Sequence, residues 1–185
     1  GAFATLPLRK SPSSRPLGSG LRYMDNLRKF VSRIKKENGL SEEVPNFDPL
    51  NGNENARILF VLEAPGAKAV KTGYISFDNP DQSARNFRDQ LQKAGIDRSE
   101  IAIWNIVPWY LGDGYKIRAA GVSDVLKGLN YLNELIILLK KLEFIVLVGG
   151  AARRAHAFLS HKVKIRILGC HHPSPKVVNN NPNMA

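Results

Sequence analysis

Four short apolar runs, separated by stretches of helical periodicity, set the expected architecture. Arg57-Ile58-Leu59-Phe60-Val61-Leu62 is apolar after its first residue and runs into Pro65 and Gly66, the pattern of a central strand covered on both faces. Ile101-Ala102-Ile103-Trp104 and Phe144-Ile145-Val146-Leu147-Val148 read as further strands. Residues 163–168 alternate, with Lys164 and Arg166 between apolar positions, and predict a half-exposed edge strand. Leu21, Met24, Leu27, Phe30, Val31 and Ile34 recur every three or four residues, which predicts an amphipathic helix with a basic outer face, closed by Gly39. Phe87, Leu91 and Ala94 mark a helix over 83–95. Leu126, Leu129, Leu132, Leu135, Ile136 and Leu139 mark the inner side of a long helix over 124–141, and a short helix should run through Leu159. Strands that alternate with helices predict an α/β fold, three layers α/β/α around a four-stranded, mostly parallel sheet.

With 185 residues, 43% of them hydrophobic, the chain can bury one core but has little room for two. Residues 21–185 are therefore read as a single domain. Residues 1–20, rich in Pro, Ser and Gly, are read as a flexible N-terminal arm or tag remnant. The formal charge of +11 attracts polyanions, of which nucleic acid is the commonest for a basic domain. No apolar run approaches the roughly 20 residues that span a bilayer. The expectation is a monomer without membrane attachment, cytoplasmic or otherwise intracellular, and nucleoid-associated in a bacterium. The single cysteine, Cys170, excludes an internal disulfide and any four-cysteine zinc or iron–sulfur site in one chain.

Candidate chemistry collects just beyond the strands. Glu63-Ala64-Pro65-Gly66 follows the first strand, Asn105-Ile106-Val107-Pro108 the second, and His171-His172-Pro173-Ser174-Pro175 the fourth. Open parallel sheets bind ligands in the crevice beyond their carboxyl ends, so the three segments point to one pocket. Other chemistries fit less well. Gly149-Gly150 lacks the three-glycine spacing of a dinucleotide fingerprint. Ser174 lies between prolines rather than in a nucleophile elbow. His171 and His172, adjacent on an extended chain, point to opposite sides, and no third ligand has a telling spacing, so no metal site is expected.

These segments resemble the uracil-DNA glycosylase superfamily over roughly 57–175. The resemblance implies an enzyme that flips a damaged base, usually uracil, out of DNA and hydrolyses its bond to the sugar, as a monofunctional glycosylase of base excision repair without a metal or diffusible cofactor. It places Ala64, Pro65 and Gly66 on the pocket wall and Phe77 against the base, with Tyr74 as the competing aromatic. Asn105 would read a carbonyl and the adjacent ring N–H, the pair that uracil presents and cytosine reverses. His172, as a neutral donor, would stabilise the departing base anion. Each has a plainer reading: Phe77 as core, Asn105 as a strand-end cap, His172 as a turn residue.

Position 64 holds alanine where the most familiar first segment of the superfamily carries an aspartate. The resemblance leaves Asp81, in Asp81-Gln82-Ser83, and Glu63 as carboxylates to orient water, Asp81 being preferred narrowly and Asp78 standing as an outsider. Gly66 replaces a tyrosine that blocks thymine's methyl group in the most uracil-selective members, which opens the pocket to hypoxanthine or xanthine. Ser174, Lys176, Val177 and Val178 fall where the superfamily inserts a loop into DNA, with a valine as wedge and Lys176 on a phosphate. The expected partner is DNA carrying uracil or another deaminated base. Two rival functions remain: a non-catalytic module for damaged or single-stranded DNA, and a Rossmann-like hydrolase or transferase of small nucleotides.

Overall fold

The computed structural model describes residues 17–41, 43–113 and 115–180. Of the expected arm, 1–16 lie outside the described residues, and 17–20 already belong to the first helix. In chain order the elements are α1 (Leu17–Asn38), β1 (Asn46–Phe47), β2 (Ile58–Leu62), α2 (Ala67–Thr72), β3 (Tyr74–Ile75), α3 (Gln82–Lys93), β4 (Ile101–Asn105), α4 (Val122–Leu138), β5 (Phe144–Val148), α5 (Gly149–Arg153), α6 (His156–Ser160), β6 (Arg166–Cys170) and α7 (Pro175–Asn180).

Four strands form one parallel sheet in the order β4-β2-β5-β6. The chain builds outward from β2 in both directions, which leaves a crevice where the connections diverge at the carboxyl edge. Side chains alternate between faces along each strand. Trp104, in register with Val61, faces α1 and β1: its ring tilts against Phe30 of α1 at 5.5 Å and stacks on Phe47 of β1 at 4.6 Å. Helix α4 shares that layer through the Arg33–Glu134 ion pair and a 2.9 Å bond from Asn38 Nδ2 to the Tyr131 hydroxyl. Phe60, in register with Ile103, faces the opposite layer and meets Phe87 of α3 edge-on at 5.0 Å. The three-layer architecture is as the hydrophobic pattern predicts. No described helix is long and apolar enough to cross a membrane.

The differences have local causes. Leu126, expected inside, is 59% exposed because α4 starts at Val122 and that phase puts Val122 and Leu126 together on the outer face. The edge strand begins at Arg166 rather than 163 and extends to Cys170. Residues 149–160 form two short helices instead of one. The segment after Pro175, read as a loop, is helix α7. The two-residue strands β1 and β3 pair in parallel as a separate ribbon, too short to leave a periodic signal.

Candidate functional site

A cavity of about 330 Å³ opens at the carboxyl edge of the sheet, at the small end of the roughly 300–1,000 Å³ typical of ligand sites. Leu62 and Ile103 contribute the sheet side, Ala64, Pro65 and Gly66 the β2–α2 loop, Phe77 and Asp81 the approach to α3, and His172 and Pro173 the segment after β6. Residues far apart in sequence thus line one space. Tyr74 lines a different, polar cavity beside α1, whereas Phe77, together with Phe87 of α3, lines this one.

Phe77 is buried, and the Arg98 guanidinium lies 4.4 Å from its ring centroid. Arg98 is fixed in turn by Asp48 and Asp78, both at 2.6 Å, and by Asn51 at 2.9 Å. Asp48 also accepts from the Ser76 hydroxyl next to Phe77. Phe87 meets the Phe77 ring edge-on at 6.5 Å. A ring held this way offers a flat surface already in place, which reduces the ordering cost of stacking a heterocycle.

His172 is half-buried, and its Nδ1 accepts from the Ser174 backbone N–H at 3.1 Å. Burial pushes its pKa below the ordinary imidazole value, against a smaller upward pull from the carboxylates of Glu63 and Asp81. A neutral ring that accepts at Nδ1 carries its proton on Nε2, so it is a donor there. Gly149, at φ +85°, lies beneath it: a Cβ at that position would come within 3.2 Å of His172 Cβ. A side chain there would be both strained and in the way. Asn86 of α3 donates to the Pro173 carbonyl at 2.9 Å and braces the same segment.

Asp81 caps α3, its Oδ1 accepting from Ala84 N–H at 2.9 Å. One oxygen is thereby committed to the helix, while the residue lines the cavity. Glu63 does not line it; Glu63 Oε1 accepts from Ala120 N–H at 2.9 Å and ties the first segment to the β4–α4 connection. Asp78 is engaged by Arg98 and lies 3.6 Å from Arg88, outside the lining.

Asn105 is 2% exposed, and its Nδ2 has no hydrogen-bond partner among the described residues. It is absent from the cavity lining, but its register partner Leu62 and its same-face neighbour Ile103 are both present there. A buried amide without a partner costs about 1–3 kcal/mol, so the residue is poorly explained as a satisfied strand-end cap. Ser174 is half-buried, Lys176 is exposed, and Val177 and Val178 are half-buried on α7, which packs against α3. His171 is exposed, and no metal-binding cluster of His, Cys, Asp and Glu occurs among the described residues.

Arg98 and Gly149 were not singled out by the sequence as site residues. Arg98 acts through partners 20 to 50 positions away, beyond any local pattern. Gly149 does leave a signal, a glycine directly after a strand, which the failed dinucleotide fingerprint obscures.

A search of curated proteins finds no match to the chain. The family model of the uracil DNA glycosylase superfamily matches residues 49–184, a span that contains every residue lining the cavity. The order of the parallel strands, the cavity at their carboxyl edge and this match agree, and the chain belongs to the uracil DNA glycosylase superfamily.

Proposed function

We propose that the protein is a monofunctional DNA glycosylase that draws uracil, or another deaminated base, out of DNA into this cavity and hydrolyses its bond to the sugar. The observation that carries the reading is the convergence of Phe77, Asp81 and a neutral His172 on one cavity sized for a single heterocycle. The everted base stacks on Phe77. Asn105 supplies an amide edge complementary to uracil, and its unpartnered Nδ2 favours that role. The bond between base and C1′ lengthens, the base leaves with the electron pair, and His172 Nε2–H donates to the carbonyl where the negative charge gathers. Asp81 orients the water that adds to C1′ and stabilises the positive sugar; the water's proton is released and the base is finally protonated. Glu63, engaged at Ala120, is the second choice. Lys68 at the rim and exposed Lys176 suit phosphates. The half-burial of Val177 and Val178 makes either a poor wedge without movement of α7.

Gly66 bears on selectivity. Its backbone, at φ −81°, suits any residue, and a Cβ there would meet nothing within 4 Å. The wall at 66 is therefore open, which favours acceptance of bases larger than uracil. Alanine at 64 sustains the rival reading of a DNA-binding module, because the first segment brings no carboxylate of its own to the cavity.

The test is incubation with duplexes and single strands carrying uracil, hypoxanthine or xanthine, followed by alkali. Strand scission at one of these bases is expected. Binding without scission at any of them would overturn the enzyme and leave the module.

A further inference from the structure

Beyond the carboxyl end of β4, residues 110–113 and 115–118 pair as the two arms of a small hairpin. Gly112 and Ile117 form an antiparallel bridge, and Arg118 N–H donates to the Leu111 carbonyl at 3.2 Å. The turn is closed by Asp113, whose N–H donates to the Lys116 carbonyl at 3.1 Å and whose Oδ1 accepts from Tyr115 and Lys116 N–H at 2.9 and 2.8 Å. The same two donors hold the Asp113 carboxyl below its usual range, so it is ionised and turned onto its own backbone. The base is fixed too: Arg118 pairs with Asp124 at 3.0 Å, and Ala120 donates to Glu63.

The Tyr115 side chain is 96% exposed. Its ring is therefore uncovered and open to a flat partner. Next to it is Lys116, exposed and without an ion pair among the described residues. The hairpin rises from the same sheet edge as the cavity, and its Glu63 tether adjoins the cavity wall at Ala64. An aromatic face beside a cation at that edge matches a nucleobase and its phosphate.

We propose that this hairpin is a second DNA contact, with Tyr115 stacking on a nucleobase of the strand outside the cavity and Lys116 on an adjacent phosphate. This rests on the reading of the cavity as a DNA-base site. It makes Tyr115 a binding residue that leaves the bond-breaking step untouched. Because Tyr115 and Lys116 N–H are both bonded to Asp113, little order is lost at these two residues when the ring engages.

The experiment uses the whole protein and a short single-stranded deoxyoligonucleotide without a lesion, carrying 2-aminopurine at successive positions. Wild type and Tyr115→Phe should quench one position. Tyr115→Ala should lose the quench and bind about tenfold to hundredfold more weakly, the range expected for one stacked base. Single-turnover excision from uracil-containing DNA at saturating protein should be unchanged by Tyr115→Ala. Quench and affinity retained by Tyr115→Ala would overturn the proposal. If no deaminated base is excised by any form but the quench is still lost with Tyr115→Ala, the enzyme reading fails and the hairpin contact stands.

Discussion

Phe77 and Tyr115 are both aromatic, and both sit near the carboxyl edge of the sheet, yet the fold treats them in opposite ways. Phe77 has a guanidinium against its ring, a second ring at its edge and an ion-pair knot behind the guanidinium. Tyr115 has its backbone N–H tied to Asp113 and open solvent around its side chain. The cavity fixes side chains, as chemistry requires, since displacements of about 1 Å can cost a hundredfold in rate. The hairpin fixes only a backbone, which suits a contact that adapts to whichever base passes. Catalysis and strand capture should therefore separate on mutation.

The widest separation is expected at Asp81, which has two duties. Asp81→Asn keeps an oxygen for the cap but removes the charge, whereas Asp81→Ala removes both. Single-turnover excision should fall by about 100-fold or more in each, the scale of a lost catalytic proton-handling group. Thermal stability should drop, by about 1 kcal/mol, only in Asp81→Ala. Equal excision by Asp81→Asn and wild type would move the carboxylate role to Glu63.

Gly149→Ala comes next. The added methyl is strained at φ +85° and displaces His172, so excision should fall about 100-fold while the affinity for undamaged DNA holds. A matching loss of DNA affinity would show that Gly149 supports the fold at large rather than the imidazole. Arg98→Lys keeps a charge but loses the planar fork that engages Asp48, Asp78 and Asn51 and covers Phe77. A several-fold rise in KM with a small change in kcat is expected, and an unchanged KM would sever Arg98 from base stacking.

The smallest effect is that of pH. The folded pKa of His172 lies below its unfolded value of about 6.5, so the stability gained with the neutral ring is complete above that value. It is lost as pH falls through the interval between the two. The acid limb of kcat, if set by His172, should likewise lie below the ordinary imidazole range and vanish in His172→Ala, as a titration of activity would show. The hairpin, whose only described acid is ionised through its own backbone, should leave DNA binding flat over the same interval.

The sheet was legible because β2, β4 and β5 are buried on both faces and therefore apolar throughout, save for Asn105 at the end of β4. The exposed edge strand β6 was displaced by three residues, since its burial imposes little pattern. The cavity was legible in outline because strand ends in a parallel sheet converge. Its supports were not: Arg98, held by an ion-pair knot, reaches Phe77, and Gly149 at the start of α5 lies beneath His172, proximities that no local spacing encodes. Lys176, Val177 and Val178 were read as a loop because the superfamily places one there, whereas Pro175 opens helix α7 at that point.

The most direct test is the release of free uracil from DNA under single-turnover conditions, followed together with DNA affinity, for wild type and for Phe77→Ala, Asn105→Ala and His172→Ala. Wild type should release the base. Each variant should release it far more slowly, His172→Ala by about 100- to 1000-fold, with affinity for undamaged DNA nearly intact. No release by wild type, or variants that lose rate and affinity in parallel, would contradict a single cavity in which these three side chains hold one everted base.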